Sequence, residues 1–369
     1  MARLVSTPDT LGKGHQLVCG VAGSGKTLAL LARARLLRER HPDWRILVLC
    51  FNESLAAFLA RAIPPDPRME VLTFHGWALG QLDEGGVPVH KPPGRGRLWD
   101  LYWTQEVAQL LLRALEEGRI RPGAYQAILV DEGQDFADDW YRALLRALDP
   151  AANSLFIALD PSQNIFGRKV DWRAVGVQVS DGPRILRVNH RNTAPILSAA
   201  YRMIRDVDAA EQASPGGPEH VAPDRALRSG PAPELRRCAS FDASRRHALE
   251  WIRDRLARTA PAEQVLVLGL DRLDMITVNA WLNSESVAAW LPAEAERGLG
   301  VRVSTIHSSK GLDADSVLLL DAHLLQARPD GEARRLLYIA MTRAKEELCV
   351  SYVRDSPLMA ELERACAPG

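Results

Sequence analysis

One local pattern restricts the possible folds more than any other. The apolar run at 16–20 leads straight into GVAGSGKT at 20–27, and Leu30, Leu31, Ala34 and Leu37 then recur at helical spacing through 27–40. A strand, a glycine-rich turn and a helix in that order make a phosphate loop. Glycines let the backbone amides along Gly20, Ala22, Gly23, Ser24 and Gly25 turn inward as an anion nest, and the helix N-terminus adds positive dipole. The Lys26 ammonium can reach terminal phosphates, and Thr27 can offer its hydroxyl to Mg²⁺. A glycine turn that merely caps a helix is the bland alternative, and it leaves the lysine unexplained. The pattern implies a nucleoside triphosphate site.

The same alternation of short apolar runs and longer amphipathic stretches continues along the chain. Residues 45–50, 69–72, 127–130 and 154–159 read as buried strands, as do 234–238, 264–268, 301–305, 316–320 and 347–352. Helical patterns fall near 98–115, 243–256, 273–283 and 333–345. Residues 83–96 are rich in Gly and Pro and read as a loop, and 206–233 reads as a long irregular excursion. Strands alternating with helices predict an α/β fold with mainly parallel sheets covered by helices on both faces. We expect two lobes, at residues 1–183 and 184–369, with a small helical insertion at about 83–118.

Composition excludes several classes. The 46 basic and 46 acidic side chains leave a net charge of zero, so a uniformly basic nucleic-acid coat is out, while a local basic groove is allowed. Hydrophobic residues at 47% and charged residues at 25% match a globular chain rather than a disordered one. No apolar run approaches membrane-spanning length, and the N-terminus carries no signal-like core. Cys19, Cys50, Cys238, Cys349 and Cys366 show no CxxC pair and no zinc-ligand spacing, which predicts reduced thiols and a cytoplasmic location.

A second chemical signal ends the strand at 127–130. Asp131 and Glu132 follow its apolar residues directly. Asp131 can hold Mg²⁺, and Glu132 can orient and deprotonate an attacking water. An adjacent glutamate favours hydrolysis over transfer to a substrate hydroxyl, which ranks an ATPase above a small-molecule kinase.

Taken in order, the motifs resemble the UvrD/Rep-type helicases of superfamily 1. GVAGSGKT resembles motif I, CFNESLAAFL motif Ia, and TFHGWA the TFHG motif. VDEGQD resembles motif II, ALDPSQNIF motif III, and LRVNHRNT motif IV. VSTIHSSKGLDADSVLL resembles motif V and RRLLYIAMTRAKEEL motif VI. The resemblance spans nearly the whole chain. It implies two tandem RecA-like P-loop lobes with ATP between them and single-stranded DNA as track, with RNA not excluded.

By the same resemblance Arg191 and Arg343 are arginine fingers, although outside these motifs each would read as a surface ion-pair partner. Gln163 contacts the γ-phosphate and reports it to the strand-binding surface, with Gln134 supporting that link or simply satisfying buried backbone. Asp313 stands where the family has glutamate and meets the nucleotide sugar if its shorter side chain reaches. Phe51, Asn52, Phe74 and Phe166 lie in the matching strand-contact motifs, and Thr73, His75, Thr305, His307 and Lys310 line the track or couple it to ATP. Base stacking and core packing are both open to Phe51 and Phe74. His75 and His307 lack a second His or Cys at ligand spacing, so a hydrogen-bonding role is expected. Trp172 and the Trp99/Trp103 pair read as packing.

Three departures bear on function. No adenine-reading glutamine motif precedes the P-loop, since Gln16 lies on the strand itself. The stretches from His75 to Asp131 and from Asn283 to Val301 are too short for the family's inserted accessory domains. The motif III match continues FGRKVDW, which leaves Arg168 and Trp172 offset from the usual tryptophan. The leading expectation is an ATP-driven 3′ to 5′ translocase and helicase on single-stranded DNA, with a DNA-repair role. The alternative is an ATP-gated nucleic-acid-binding subunit that signals to a partner nuclease or repair protein. Neither reading involves a membrane.

Overall fold

The computed structural model describes residues 14–94, 97–179, 182–213, 220–258, 261–291 and 300–367. The chain divides into two units. The first holds the chain up to Gly20 together with Gly25–Leu186, and the second holds Val21–Ser24 with the chain from Arg187 onward.

The first unit contains β1 (His15–Gly20), α1 (Lys26–Arg40), β2 (Ile46–Cys50), α2 (Glu53–Ala62), β3 (Met69–Thr73) and α3 (Phe74–Glu84). After these come α4 (Arg97–Leu101), α5 (Val107–Glu116), β4 (Ala127–Val130), α6 (Asp138–Ala147), β5 (Ser154–Leu159) and β6 (Arg184–Leu186). The strands form one parallel sheet in the order β3-β2-β4-β5-β1-β6. Alternate residues explain why the runs read as continuously apolar. Val18, Val48, Leu129 and Phe156 pack under α1 and α2, while Leu17, Leu47, Ile128 and Leu155 are buried on the opposite face. Arg184–Leu186 pairs with Val18–Gly20 as an edge strand, which is why the first unit runs on past residue 183.

The expected insertion is more than a plain helix. Residues 102–106 form a π-helical turn between α4 and α5. Two carbonyls of that turn are engaged from outside, Trp103 O by His75 Nε2 at 2.6 Å and Thr104 O by Trp140 Nε1 at 3.1 Å. Side-chain partners for these carbonyls stabilise the widened turn. The Trp99 and Trp103 rings pack edge to face, 5.7 Å apart.

The second unit contains β7 (Val188–Thr193), α7 (Ala194–Gln212), β8 (Arg225–Arg228), β9 (Glu234–Arg237), α8 (Phe241–Ala257), β10 (Val265–Gly269) and α9 (Arg272–Ser284). It continues through β11 (Ala289–Trp290), β12 (Val301–Thr305), β13 (Ala314–Leu319), α10 (Asp330–Met341), β14 (Ala344–Tyr352) and α11 (Pro357–Cys366). Its main sheet, also parallel, runs β11-β12-β10-β13-β14-β9. Val265, Val267, Val303 and Leu318 pack against α8 and α9 on one face. On the other face α10 packs on β13 and β14, and α7 packs on α10 and α11. Each unit is therefore a parallel sheet with helices on both sides, as expected of RecA-like P-loop lobes.

Two expectations need correction. The stretch at 206–233 is not one irregular excursion, because α7 extends to Gln212 and β8 occupies Arg225–Arg228; residues 214–219 lie outside the described set. The helix expected at 333–345 stops at Met341, where the Thr342 hydroxyl hydrogen-bonds to the carbonyls of Tyr338 (2.8 Å) and Ile339 (3.1 Å). From Ala344 the chain is strand, so Lys345 belongs to the sheet. Among the described residues no helix is long and apolar enough to cross a membrane.

Candidate nucleotide site and strand-facing surface

The carboxyl ends of β1, β4 and β5 bring the first unit's chemistry together. β1 ends at Gly20, and α1 starts at Lys26 after Gly25 turns through φ 90°, a left-handed conformation that glycine adopts without strain. The Lys26 Nζ donates to Gly20 O at 2.8 Å and lies 3.4 Å from Asp160 Oδ2. Thr27 Oγ1 donates to Asp131 Oδ2 at 2.7 Å. Ser24 Oγ is buried in the loop without a hydrogen-bond partner, an orphan that suits a cradle for an anion.

The acids are linked by hydrogen bonds through backbone amides and Gln134. Asp131 Oδ1 accepts from the Glu132 amide at 3.0 Å. Glu132 sits at φ 53°, a left-handed conformation costly for a non-glycine residue and typical of strained functional sites. Gly133 must follow, because a Cβ there would lie 2.5 Å from Ile157 Cγ2 and 2.8 Å from the Tyr141 hydroxyl. Tyr141 locks this turn by donating to Gly133 O at 2.7 Å. Gln134 Nε2 donates to Glu132 Oε2 at 2.5 Å, while its Oε1 accepts from the Asp160 amide at 2.9 Å. Gln163 Nε2 donates to Asp160 Oδ2 at 2.7 Å. Burial, with Glu132 beside it, pushes Asp131 well above the usual carboxylate range. Asp131, Glu132 and Asp160 are all buried beside the phosphate loop, and the Thr27 and Asp131 oxygens are of the kind that suits a divalent cation.

Asp160 is the residue that sequence reasoning passed over. It ends an apolar strand just as Asp131 does, which was the available signal. Its carboxylate accepts from Lys26, Gln163 and the Ser162 amide (3.2 Å), so it organises three neighbours at once.

The strand-contact residues of this unit separate into two groups. Phe166 is 44% exposed, and its ring lies 5.0 Å from that of Phe51, which is half-buried. The Arg168 guanidinium stands over both rings and over Trp140, at 5.1, 5.8 and 4.9 Å, and donates to the Asp135 carbonyl. Arg168 thus joins the three rings of this cluster. Phe74 is a different case. It is fully buried and stacks on Trp140 with centroids 4.2 Å apart, so it is a core residue and offers no face to a base. Its neighbours have structural work too. Thr73 caps α3 through Gly76 N (3.1 Å), Asn52 caps α2 through Leu55 N (2.8 Å), and burial lowers the His75 pKa. Trp172 packs edge to face on Tyr141 at 5.1 Å, and Gln16 accepts from Arg33 at 2.9 Å.

Within the second unit, Asp313 receives Arg191 Nε at 3.1 Å and Lys345 Nζ at 3.2 Å. Burial alone would raise Asp313, but these two cations outweigh it and hold the carboxyl below its ordinary value. Its carboxylate is thus shared between Arg191 and Lys345. Arg343 is 1% exposed, with Nε donating to Ile339 O (3.1 Å) and Nη1 to Leu312 O (3.2 Å). Thr305 Oγ1 accepts from the Ser308 amide at 3.1 Å, and burial lowers the His307 pKa. Lys310 is 1% exposed, so its side chain is buried.

Residues 8–168 match the AAA domain family, and residues 300–351 match the UvrD-like helicase C-terminal domain. No curated protein matches the chain. Among solved structures, the C-terminal domain of a possible DNA helicase from Lactobacillus plantarum WCFS1 is similar, at 20% identity and a TM-score of 0.38. That match covers 48% of this chain and 96% of that one. The AAA match contains the phosphate loop and the acid pair, and the UvrD-like match contains the segments at 303–319 and 334–348, with Arg343. The chain therefore carries an AAA domain and a UvrD-like helicase C-terminal domain, a pairing that supports a UvrD-like helicase.

Proposed function

We propose that the chain is a cytoplasmic ATP-dependent translocase and helicase that moves 3′ to 5′ along single-stranded DNA. The observation that carries this reading is the convergence of Lys26, Thr27, Asp131, Glu132 and Asp160 at the ends of three parallel strands. The loop amides from Gly20 to Gly25 hold the phosphates of ATP, and Lys26 neutralises the terminal one. Thr27 and Asp131 would hold Mg²⁺, which would supply positive charge to the phosphates. Glu132, kept in place by Gln134, takes the proton from the attacking water. Gln163 responds to the γ-phosphate and passes its state to the neighbouring Phe166 segment.

Hydrolysis takes place where the two lobes meet, with Arg343 and Arg191 as the cations that answer the developing charge. Such a cation is worth about 10³ to 10⁵ in rate, enough to make turnover depend on lobe closure. Phe51 and Phe166 stack on bases without reading them, and Asn52, Thr73, Thr305 and His307 line the backbone track.

Phosphate release with and without single-stranded DNA at low salt tests the proposal, together with displacement of a labelled strand from substrates of each polarity. Stimulated hydrolysis with displacement in one direction supports it. No stimulation overturns it, because at low salt screening does not explain a missing effect. Stimulation without displacement transfers the case to the ATP-gated subunit that signals to a partner nuclease.

A further inference from the structure

The second unit brings together three potential ligands that lie far apart in sequence. In the pairing of β14 with β9, Cys349 stands directly across from Glu234. α8 packs over this face and supplies His247. The Cys349 Sγ is 3.5 Å from His247 Nε2, the Glu234 Oε1 is 3.9 Å from the same nitrogen, and all three ligand atoms lie within 4.8 Å of one another.

We propose that Cys349, His247 and Glu234 form a zinc site that clamps the edge strand β9 and helix α8 to β14. The geometry separates this from a hydrogen-bonded relay. A thiol–imidazole–carboxylate relay uses both ring nitrogens, one for each partner. Here both partners face Nε2, which carries at most one proton and cannot serve them both. Convergence on one point is what an ion requires. A zinc bound at about 2.3 Å to sulfur and about 2.0 Å to nitrogen holds those two atoms about 3.5 Å apart at a tetrahedral angle. The carboxylate is farther than ideal, but Glu234 is exposed and free to swing inward, which leaves a fourth position for water.

Charge around the site permits a cation. Two cations lie close, Arg236 on exposed β9 and Arg255, the latter answered by Glu347 at 2.9 Å and Asp254 at 3.0 Å, while Glu234 and Glu250 face His247 with opposite charge. Burial keeps the imidazole neutral, the form that ligates. It also keeps Cys349 protonated, so coordination expels the thiol proton to solvent as the sulfur–zinc bond forms.

The test uses the full chain, stripped with EDTA, reloaded with Zn²⁺ and dialysed. Elemental analysis should then find about one zinc per chain, and Co²⁺ loading should give a thiolate charge-transfer band. Outer-shell substitutions typically cost 10- to 100-fold in metal affinity, so loss of a direct ligand in His247→Gln should cost at least about tenfold. Zinc should raise the melting temperature of the wild type and not of this variant. Cys349 is a core residue whose replacement disturbs folding as well as binding, so half-buried His247 and exposed Glu234 carry the decision. Failure to retain zinc, retention without the thiolate band, or undiminished binding by His247→Gln each overturns the site.

Discussion

Thr27 Oγ1 and Asp131 Oδ2 are 2.7 Å apart, joining the first turn of α1 to the end of β4. This pair sets the spacing of the two proposed Mg²⁺ ligands. A hydrogen bond to a charged group contributes about 1.5 to 3 kcal/mol. Thr27→Ala should therefore raise the Mg²⁺ concentration needed for half-maximal ATP hydrolysis by about tenfold or more. A magnesium titration of turnover checks this, and an unchanged midpoint would remove Thr27 as a ligand.

Glu132 is held by Gln134 in a left-handed turn beside Asp131. Glu132→Gln keeps the shape and removes the base. ATP binding should survive while turnover falls by about 10² to 10⁴, the usual contribution of general base catalysis. Nucleotide binding by fluorescence and single-turnover hydrolysis together separate the two steps. Retained turnover would assign the proton to another group.

Phe166 and Phe74 make an informative contrast because they are 44% and 0% exposed. Phe166→Ala should weaken single-stranded DNA binding by about 5- to 150-fold, the equivalent of about 1 to 3 kcal/mol for one stacked base, with the melting temperature unchanged. Phe74→Ala should instead cost about 3 to 5 kcal/mol of folding stability through the cavity beside Trp140. Measuring affinity and melting for both variants checks the assignment. The opposite pattern would place Phe74 on the track.

Arg343 reaches two carbonyls of its own unit through a guanidinium that lysine cannot reproduce. Arg343→Lys should bind ATP and lose turnover by about 10³ or more. Steady-state hydrolysis with a parallel nucleotide-binding assay decides the point. A loss of less than tenfold would return Arg343 to a structural role.

Burial is the main cause that lowers the His75 pKa, with the Trp103 carbonyl opposing and Arg168 adding to it. The unfolded chain then binds a proton near the ordinary value of about 6.5, while folded His75 resists. Its contribution to stability is complete above that pH and is lost as pH falls from about 6.5 toward the folded value. Thermal melts between pH 8 and pH 5.5 should show a steeper acid-side decline for the wild type than for His75→Gln. Parallel curves would mean that His75 does not carry this part of the pH dependence.

The phosphate loop and acid pair were legible because their chemistry is local. GVAGSGKT and Asp131-Glu132 each place strand end, turn and functional group within a few residues. The strands were legible for a related reason, since burial on both faces makes β2 and β5 continuously apolar. Element ends were less so. The Thr342 hydroxyl that ends α10 before β14 competes with the helix in a way that hydrophobic periodicity does not report. The π turn at 102–106 depends on His75 and Trp140, whose positions periodicity within the helix cannot contain.

By itself, then, the order of residues determined the two α/β lobes, the motif series and the candidate nucleotide site, because each rests on neighbours in the chain. Tertiary structure alone decided that Phe74 is core while Phe166 is exposed, that Asp160 joins Lys26 to Gln163, and that Arg168 lies over three rings. It also brought Glu234, His247 and Cys349 to one point. The physical reason is that burial and convergence depend on which strands pair and which helices cover them, and no short stretch of sequence records those neighbours.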